Sequence, residues 1–329
     1  MKALQLTAYG DPKKVIKLIN LPEPGVLAAD EWIVDMEAAP VAPTDQYIIA
    51  GIYGEQPPLP HFLGCEGVGR VSAVGSGVKH VKVGDRVIAP LLQNTTWSTR
   101  IKTKETWQRA LPEGNLNQMA QVGMNPLTAF LLLTEFKTLK AGDWVISTSA
   151  NSAVGRSIIP IAQGRGIKTV NIVRTPHLVE EIKAIGGDVV LAVGPDLTKQ
   201  IKEATGGADI QLALDGVGGP LTQQLVDLVG LYGIVVLWSR MGGADSTISP
   251  IPILFAGKSL HGFWVVNWLK ISGNRERLTA AFEEIAPLVS SGKIVIPVAG
   301  EFALNQYVDA IALAAKYSGK AILYPNGRP

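Results

Sequence analysis

The strongest constraint on how this chain can fold is one stretch, Ala141 to Arg174, which reads AGDWVISTSANSAVGRSIIPIAQGRGIKTVNIVR. Gly142-Asp143 is a turn pair, and Trp144-Val145-Ile146-Ser147 is a short apolar run of strand type. Small residues follow. From Val154 the period becomes helical, with Val154, Ile158 and Ile161 spaced four and three apart on one face. Gly164 and Gly166 stop that helix, and residues 169–173 (TVNIV) read as a second strand. Strand, tight turn, helix and strand within about 30 residues make a βαβ unit. Its first turn aims backbone N–H groups and a helix N-terminus outward, an arrangement that receives phosphate.

The glycine pattern usual in such turns is degraded: Ser149, Ser152 and Gly155 stand where G-x-x-G-x-x-G would place glycines. An ordinary βα turn and a dinucleotide turn both fit that pattern. The end of the second strand separates them. Where an NAD site carries an acid for the ribose 2′-hydroxyl, nineteen residues beyond Gly155, this chain has Arg174. A cation at that position suits a 2′-phosphate, so the sequence points to NADPH; the alternative is a solvated arginine at a strand end.

With 329 residues there is room for two domains, each with a core. Thirty Lys and Arg against 28 Asp and Glu leave a net charge of +2 without basic blocks, which argues against a nucleic-acid partner. A single cysteine, Cys65, excludes an internal disulfide framework and any multi-thiolate zinc site. The chain has no apolar run of membrane-spanning length and no signal-peptide core at its N-terminus. The expectation is a cytoplasmic protein, or one of an organelle matrix if a presequence has been removed.

Residues 1–125 show many short strands broken by Gly and Pro, among them 2–7, 15–18, 31–37, 67–74 and 86–89, with a short helix over 44–49. From 126 to 267 strands and helices alternate, predicting a doubly wound parallel sheet with strands at 188–193, 210–214, 234–238 and 260–266. A helix through Leu278, Phe282, Ile285 and Val289, a strand at 294–298, a helix through Tyr307 and Ile311, and a strand at 320–324 follow. These are expected to return to the first domain. The domains expected are therefore 1–125 with 268–329, and 126–267. The run LHGFWVVNW, from Leu260 to Trp268, reads as a long apolar edge strand, an association hazard unless paired; a homodimer through that edge is expected.

The order of β-rich domain, Rossmann-type domain and returning tail resembles the medium-chain dehydrogenase/reductase superfamily. The stretches Val41-Ala-Pro-Thr-Asp45, Gly64-Cys-Glu-Gly-Val-Gly69, Val83-Gly-Asp-Arg-Val87 and Gly123-Met-Asn-Pro-Leu-Thr-Ala129 sharpen the resemblance, which covers essentially the whole chain. It implies an α/β architecture with a GroES-like catalytic domain and a Rossmann domain. The zinc ligands of the alcohol dehydrogenases in that superfamily would fall at Ala42, Cys65 and Met124. Ala42 cannot coordinate and Met124 is a poor zinc donor, so the resemblance is to the zinc-free members.

Within that branch three stretches are similar to the mitochondrial-type trans-2-enoyl thioester reductases. Residues 49–60 (IAGIYGEQPPLP) resemble the segment carrying that family's catalytic tyrosine, which maps to Tyr53. Asn151, Ser152, Ala153, Val154 and Gly155 resemble its phosphate turn. Residues 262–268 (GFWVVNW) resemble its Gly-Phe-Trp strand, implying cofactor contacts at Phe263, Trp264, Val265 and Val266. The same resemblance implies contacts from Asn125, Arg174, Trp238, Ser239, Arg240, Met241 and Lys320. The segment from Trp238 to Met241 departs from the family's Tyr-Gly-Gly-Met pattern, with Arg240 bulkier than the family residue.

Reducing an α,β-unsaturated thioester takes a hydride at Cβ and a proton at Cα while charge builds on the carbonyl oxygen. Tyr53 carries an O–H suited to protonation, on a loop bracketed by Gly51 and Gly54; the other reading is a loop tyrosine packed over an apolar edge. The sequence therefore points to a zinc-independent, NADPH-dependent reductase of an enoyl thioester. An NADPH:quinone oxidoreductase, or a non-catalytic NADPH-binding protein on the same fold, are the alternatives.

Overall fold

The computed structural model describes residues 1–93, 95–316 and 319–328, without the side chain of Ser272. The chain divides into two compact units, residues 1–124 with 269–329, and residues 125–268.

The first unit is mainly antiparallel sheet. Strands β1 (Lys2–Leu6), β2 (Ile16–Asn20) and β4 (His61–Phe62) form a three-stranded sheet in the order β2-β1-β4. A second sheet is organised on β3 (Trp32–Val41), whose ten residues run almost without interruption through the core. Its first half pairs with β5 (Val68–Val74) and β7 (Arg100–Thr103), and β5 pairs with β6 (Arg86–Ile88). The far end of β3 takes a partner from later in the chain. After the strands of the other unit come β14 (Val298–Ala303) and β15 (Lys320–Tyr324); β15 lies antiparallel to Ala39–Val41, with β14 parallel outside it. Trp32, Val34, Met36, Val71, Val87 and Ile101 fill one face, and Leu4, Leu6, Ile48, Ile49, Leu63, Trp97 and Leu323 fill the other cluster.

The second unit holds one six-stranded parallel sheet: β8 (Trp144–Thr148), β9 (Lys168–Val173), β10 (Val189–Ala192), β11 (Leu212–Asp215), β12 (Ile234–Leu237) and β13 (Ser259–Gly262). The spatial order is β10-β9-β8-β11-β12-β13, so the winding reverses between β8 and β11. That is the doubly wound order with its switch point at the first strand, where ligands bind outside the strands' carboxyl ends. The helix after β8, Ala153–Gly164, buries Val154, Ile158 and Ile161 as the spacing requires.

Two expected strands differ. The run at 260–266 ends as a strand at Gly262, and Val265–Lys270 is helical. Its neighbour β12 ends at Leu237, so the ladder has one further bond to give, Phe263 N–H to Leu237 O at 2.8 Å. Beyond it the aromatic pair adopts helical spacing: the Trp268 N–H reaches Trp264 O, and the Trp268 indole turns inward to Glu135 at 3.1 Å. The long apolar edge strand expected from Leu260 to Trp268 is thus four residues long and carries neither tryptophan. The strand expected at 294–298 starts at Val298: Pro297 has no N–H to give to a ladder, and its carbonyl accepts the Lys320 N–H at 2.9 Å where the pairing with β15 begins. Ile294 and Ile296 are buried without a ladder; the Ile296 N–H donates instead to Gln118 Oε1 at 2.8 Å.

Candidate active site

The turn after β8 shows why small residues stand where glycines were missing. Ser149 takes a left-handed conformation with φ 54°, the backbone a glycine would adopt without strain. Its carbonyl accepts the Ser152 N–H at 2.9 Å, closing the turn. Ser152 is the helix N-cap, and its Oγ accepts the Gly155 N–H at 3.1 Å. At Gly155 a Cβ would sit 2.6 Å from Ala150 Cα and from Ser149 O, so this glycine permits the close approach of helix and turn. The N–H groups of Ala153 and Val154, in the first helical turn, have no intrahelical acceptor by position and carry the positive end of the helix dipole. The residues present therefore fit a pyrophosphate. Asn151 is half-buried, its carbonyl receiving Arg156 Nε at 3.1 Å. Arg174 lies exposed just past β9, without an acidic partner among the described residues, and so fits an additional anionic group at the second strand.

The other strand ends on this edge carry the remaining candidates of the unit. Asp215, ending β11, is fully buried; Oδ1 accepts the Thr148 hydroxyl and the N–H groups of Val217 and Gly218, and Oδ2 accepts the Thr222 hydroxyl. It is a structural tie between β8, the turn beyond β11 and the next helix. Trp238 follows β12 and lies over Gly216, where a Cβ would be 2.4 Å from its ring. Its indole N–H is buried with no acceptor among the described residues, the kind of orphaned donor a bound polar group satisfies. Ser239 is half-buried and Met241 exposed. Arg240 turns into its own loop, to Gly243 O at 2.5 Å and Asp245 at 3.2 Å. Phe263 packs edge-on to Phe136, ring centroids 5.6 Å apart. Trp264 and Val266 are half-buried and Val265 is buried. Asn125 opens the helix Asn125–Thr134.

In the first unit, Tyr53 follows the helix Pro43–Ala50, which ends on Gly51 with φ 76°. The ring is half-buried against the cluster containing Ile48, Ile49 and Leu63, and Gln56 Nε2 donates to the Tyr53 carbonyl at 3.2 Å. The same helix begins on a group the sequence reading passed over. Asp45 is buried; Oδ2 accepts the Ala42 N–H at 2.8 Å and Oδ1 the Cys65 N–H at 3.2 Å. Glu66 is also buried, one oxygen accepting the Met124 N–H at 2.9 Å. Lys320, buried in β15, is the cation acting on both. Burial pushes the Asp45 carboxyl up to about 6 and that of Glu66 up to about 7, against the pull of Lys320. The sequence signal was present, two acids set among small and apolar residues in VAPTD and GCEGVG, but only the fold brings them to one place.

The positions where related dehydrogenases carry zinc do not suit it here. Ala42 offers a methyl group. Burial, reinforced by Asp45 and Glu66, pushes the Cys65 thiol well up; it is the one zinc donor among these three positions, and zinc needs at least three protein ligands. Among the described residues no three His, Cys, Asp or Glu side chains are set to hold a metal, and no helix is long and apolar enough to cross a membrane.

Residues 28–125 match the alcohol dehydrogenase GroES-like domain and residues 153–286 the zinc-binding dehydrogenase domain. The chain is 34% identical over 331 residues to the mitochondrial enoyl-acyl-carrier-protein reductase of Mus musculus, spanning 98% of this chain and 88% of that protein. Among solved structures, Etr1p in complex with NADP and crotonyl-CoA superposes with a TM-score of 0.83 at 26% identity, over 98% of this chain and 99% of that one; Etr1p is from Candida tropicalis. Quinone oxidoreductase of Escherichia coli complexed with NADPH superposes with a TM-score of 0.82 at 26% identity, over 99% of this chain and 100% of that one. With the nucleotide turn and the metal-free donor set described above, these matches show that the chain belongs to the zinc-free branch of the medium-chain dehydrogenase/reductase superfamily, alongside the mitochondrial enoyl thioester reductases.

Proposed function

We propose that the protein reduces the C=C bond of a trans-2-enoyl thioester, without zinc, at the expense of NADPH. What carries the reading is the Ser149–Gly155 turn, a cradle of small side chains with a capped helix start, in a chain whose relatives are enoyl-acyl-carrier-protein reductases. When bound, NADPH supplies a hydride. Residues 126–267 are the dinucleotide-binding domain, and residues 1–125 with 268–329 are the substrate domain. Asn151, Ser152, Ala153, Val154 and Gly155 hold the pyrophosphate, and Arg174 pairs with the 2′-phosphate. Asn125, Trp238, Ser239, Arg240, Met241, Phe263, Trp264, Val265 and Val266 line the cofactor, with Lys320, whose ammonium also faces Asp45 and Glu66. Tyr53 delivers the proton to Cα of the enolate.

NADPH oxidation measured with crotonyl-CoA and with a benzoquinone tests this. Turnover of crotonyl-CoA supports the enoyl reading. Turnover of the quinone alone moves the protein to the quinone oxidoreductases, which the equally good superposition on the Escherichia coli enzyme keeps as the second reading. Cofactor binding without turnover of either sinks both.

The assembly we propose is a homodimer through the outer edge of β13, which among the described residues pairs only with β12. The helix just before it, Pro250–Ala256, exposes Ile251, Leu254 and Phe255, an apolar face that a second copy would cover. Sedimentation equilibrium at micromolar concentration checks it, a monomer being the refuting result.

A further inference from the structure

We propose that Asp45 is the positioning residue for the Tyr53 loop, acting as a buried acceptor that ties the start of the helix Pro43–Ala50 to the Cys65 segment. A carboxylate receiving the N–H just ahead of its helix is an ordinary capping device, and on an exposed helix one oxygen suffices. Here the second oxygen leaves the helix for the Cys65 N–H, so one side chain clamps two backbone segments. The Cys65 thiol also lies against Oδ2, at 3.7 Å.

The helix has only eight residues, and its two ends are both pinned. At the far end Gly51 is left-handed and so close to Tyr9 that a Cβ would stand 3.0 Å from the Tyr9 Cβ and 3.1 Å from its ring at Cγ. Tyr53 comes two residues later and packs on the same cluster as Ile48 and Ile49. The phenol thus packs on residues of the helix that Asp45 anchors, so a shift at the helix start moves the surface that seats it.

Two backbone donors require a group that only accepts, which is the ionised carboxylate. A protonated Asp45, or an asparagine, turns one acceptor into a donor facing an N–H. The charged and titratable groups facing it are Lys320 on β15, the Cys65 thiol and Glu66, and Lys320 is the one that favours its ionised form. The clamp is therefore engaged above about pH 6 and lost below.

This rests on the reading of Tyr53 as proton donor. The test follows kcat with crotonyl-CoA across pH 5 to 8 for the full-length protein, Asp45→Asn, Lys320→Met and Tyr53→Phe, with NADPH affinity measured separately. Displacing a reacting group by about 1 Å costs on the order of 10²-fold, so Asp45→Asn should lower kcat by about that factor. It should leave NADPH affinity unchanged and abolish the acid limb seen in the unmodified protein. Lys320→Met should move the acid limb to higher pH. If Asp45→Asn does not fold, the Lys320→Met profile still decides. Full kcat in Asp45→Asn, a lowered kcat with the acid limb intact, or an acid limb that Lys320→Met leaves in place overturns the proposal. If Tyr53→Phe keeps full turnover, the assignment of the proton donor has failed instead.

Discussion

The nucleotide turn and the tyrosine loop are both short, glycine-bearing connections, yet they are held in opposite ways. The turn from Ser149 to Gly155 is closed by its own members: Ser152 N–H to Ser149 O, Gly155 N–H to Ser152 Oγ, and the helix backbone against Ala150. The loop of Tyr53 is held from outside, by Tyr9, by the cluster under Ile48 and Ile49, and through Asp45 by Cys65 and Lys320 from distant parts of the chain. A self-closed turn can change its letters and keep its shape. An externally tied loop keeps its function only while its remote partners stay.

The largest effect expected tests the loop itself. Tyr53→Phe removes one proton donor and should lower kcat with crotonyl-CoA on the order of 10²–10⁴-fold, with NADPH affinity intact by fluorescence titration. Equal losses in both would erase the functional separation of the two regions.

Next comes the turn. Gly155→Val places a Cβ 2.6 Å from backbone atoms of Ser149 and Ala150, so the turn must open. NADPH affinity should fall by at least about tenfold, as expected when charge-assisted contacts worth about 1.5–3 kcal/mol are lost. Arg174→Ala should act on one phosphate only, weakening NADPH by about 10–100-fold on the same grounds while leaving NADH binding unchanged. Equal losses for both nucleotides would remove Arg174 from the 2′-phosphate.

The pH dependence of stability sharpens the contrast at lower amplitude. Burial raises Asp45 from 3.8 to about 6 and Glu66 from 4.5 to about 7, so the folded protein holds more protons than the unfolded chain between about pH 4 and 7. Stability from these groups is therefore greatest at the acid end of that window and falls as pH rises through it. Glu66→Gln keeps an acceptor for the Met124 N–H but cannot ionise; thermal melts across the window should show a shallower fall than in the unmodified protein. The smallest effect is at Ser149, where Ser149→Gly relieves the left-handed backbone at the cost of a freer unfolded chain, a net gain of roughly 0.5–1 kcal/mol in denaturant melts.

Much of this architecture was legible from local pattern. Helical spacing over Val154, Ile158 and Ile161, and over Leu278, Phe282, Ile285 and Val289, appears as two helices with those faces buried. The strand and helix alternation appears as a parallel sheet. The misses share one cause. The residues from Leu260 to Trp268 have strand composition, but a strand needs a neighbour, and β12 stops at Leu237. Residues 294–297 are apolar enough for a strand, but they end on Pro297, which has no N–H for a ladder and only accepts from Lys320, so the pairing with β15 begins at Val298.

By itself the sequence determined the order of elements, the small-residue turn with its following arginine, and the lack of a zinc-binding set, because each is set by residue type and spacing over a few positions. Only the tertiary structure decided that Asp45, Cys65, Glu66 and Lys320 are buried close enough to act on one another, that both carboxyls are pushed up there, and where the edge strand ends. Those depend on which backbone lies alongside and on how much water is excluded, and neither quantity belongs to any local stretch of chain.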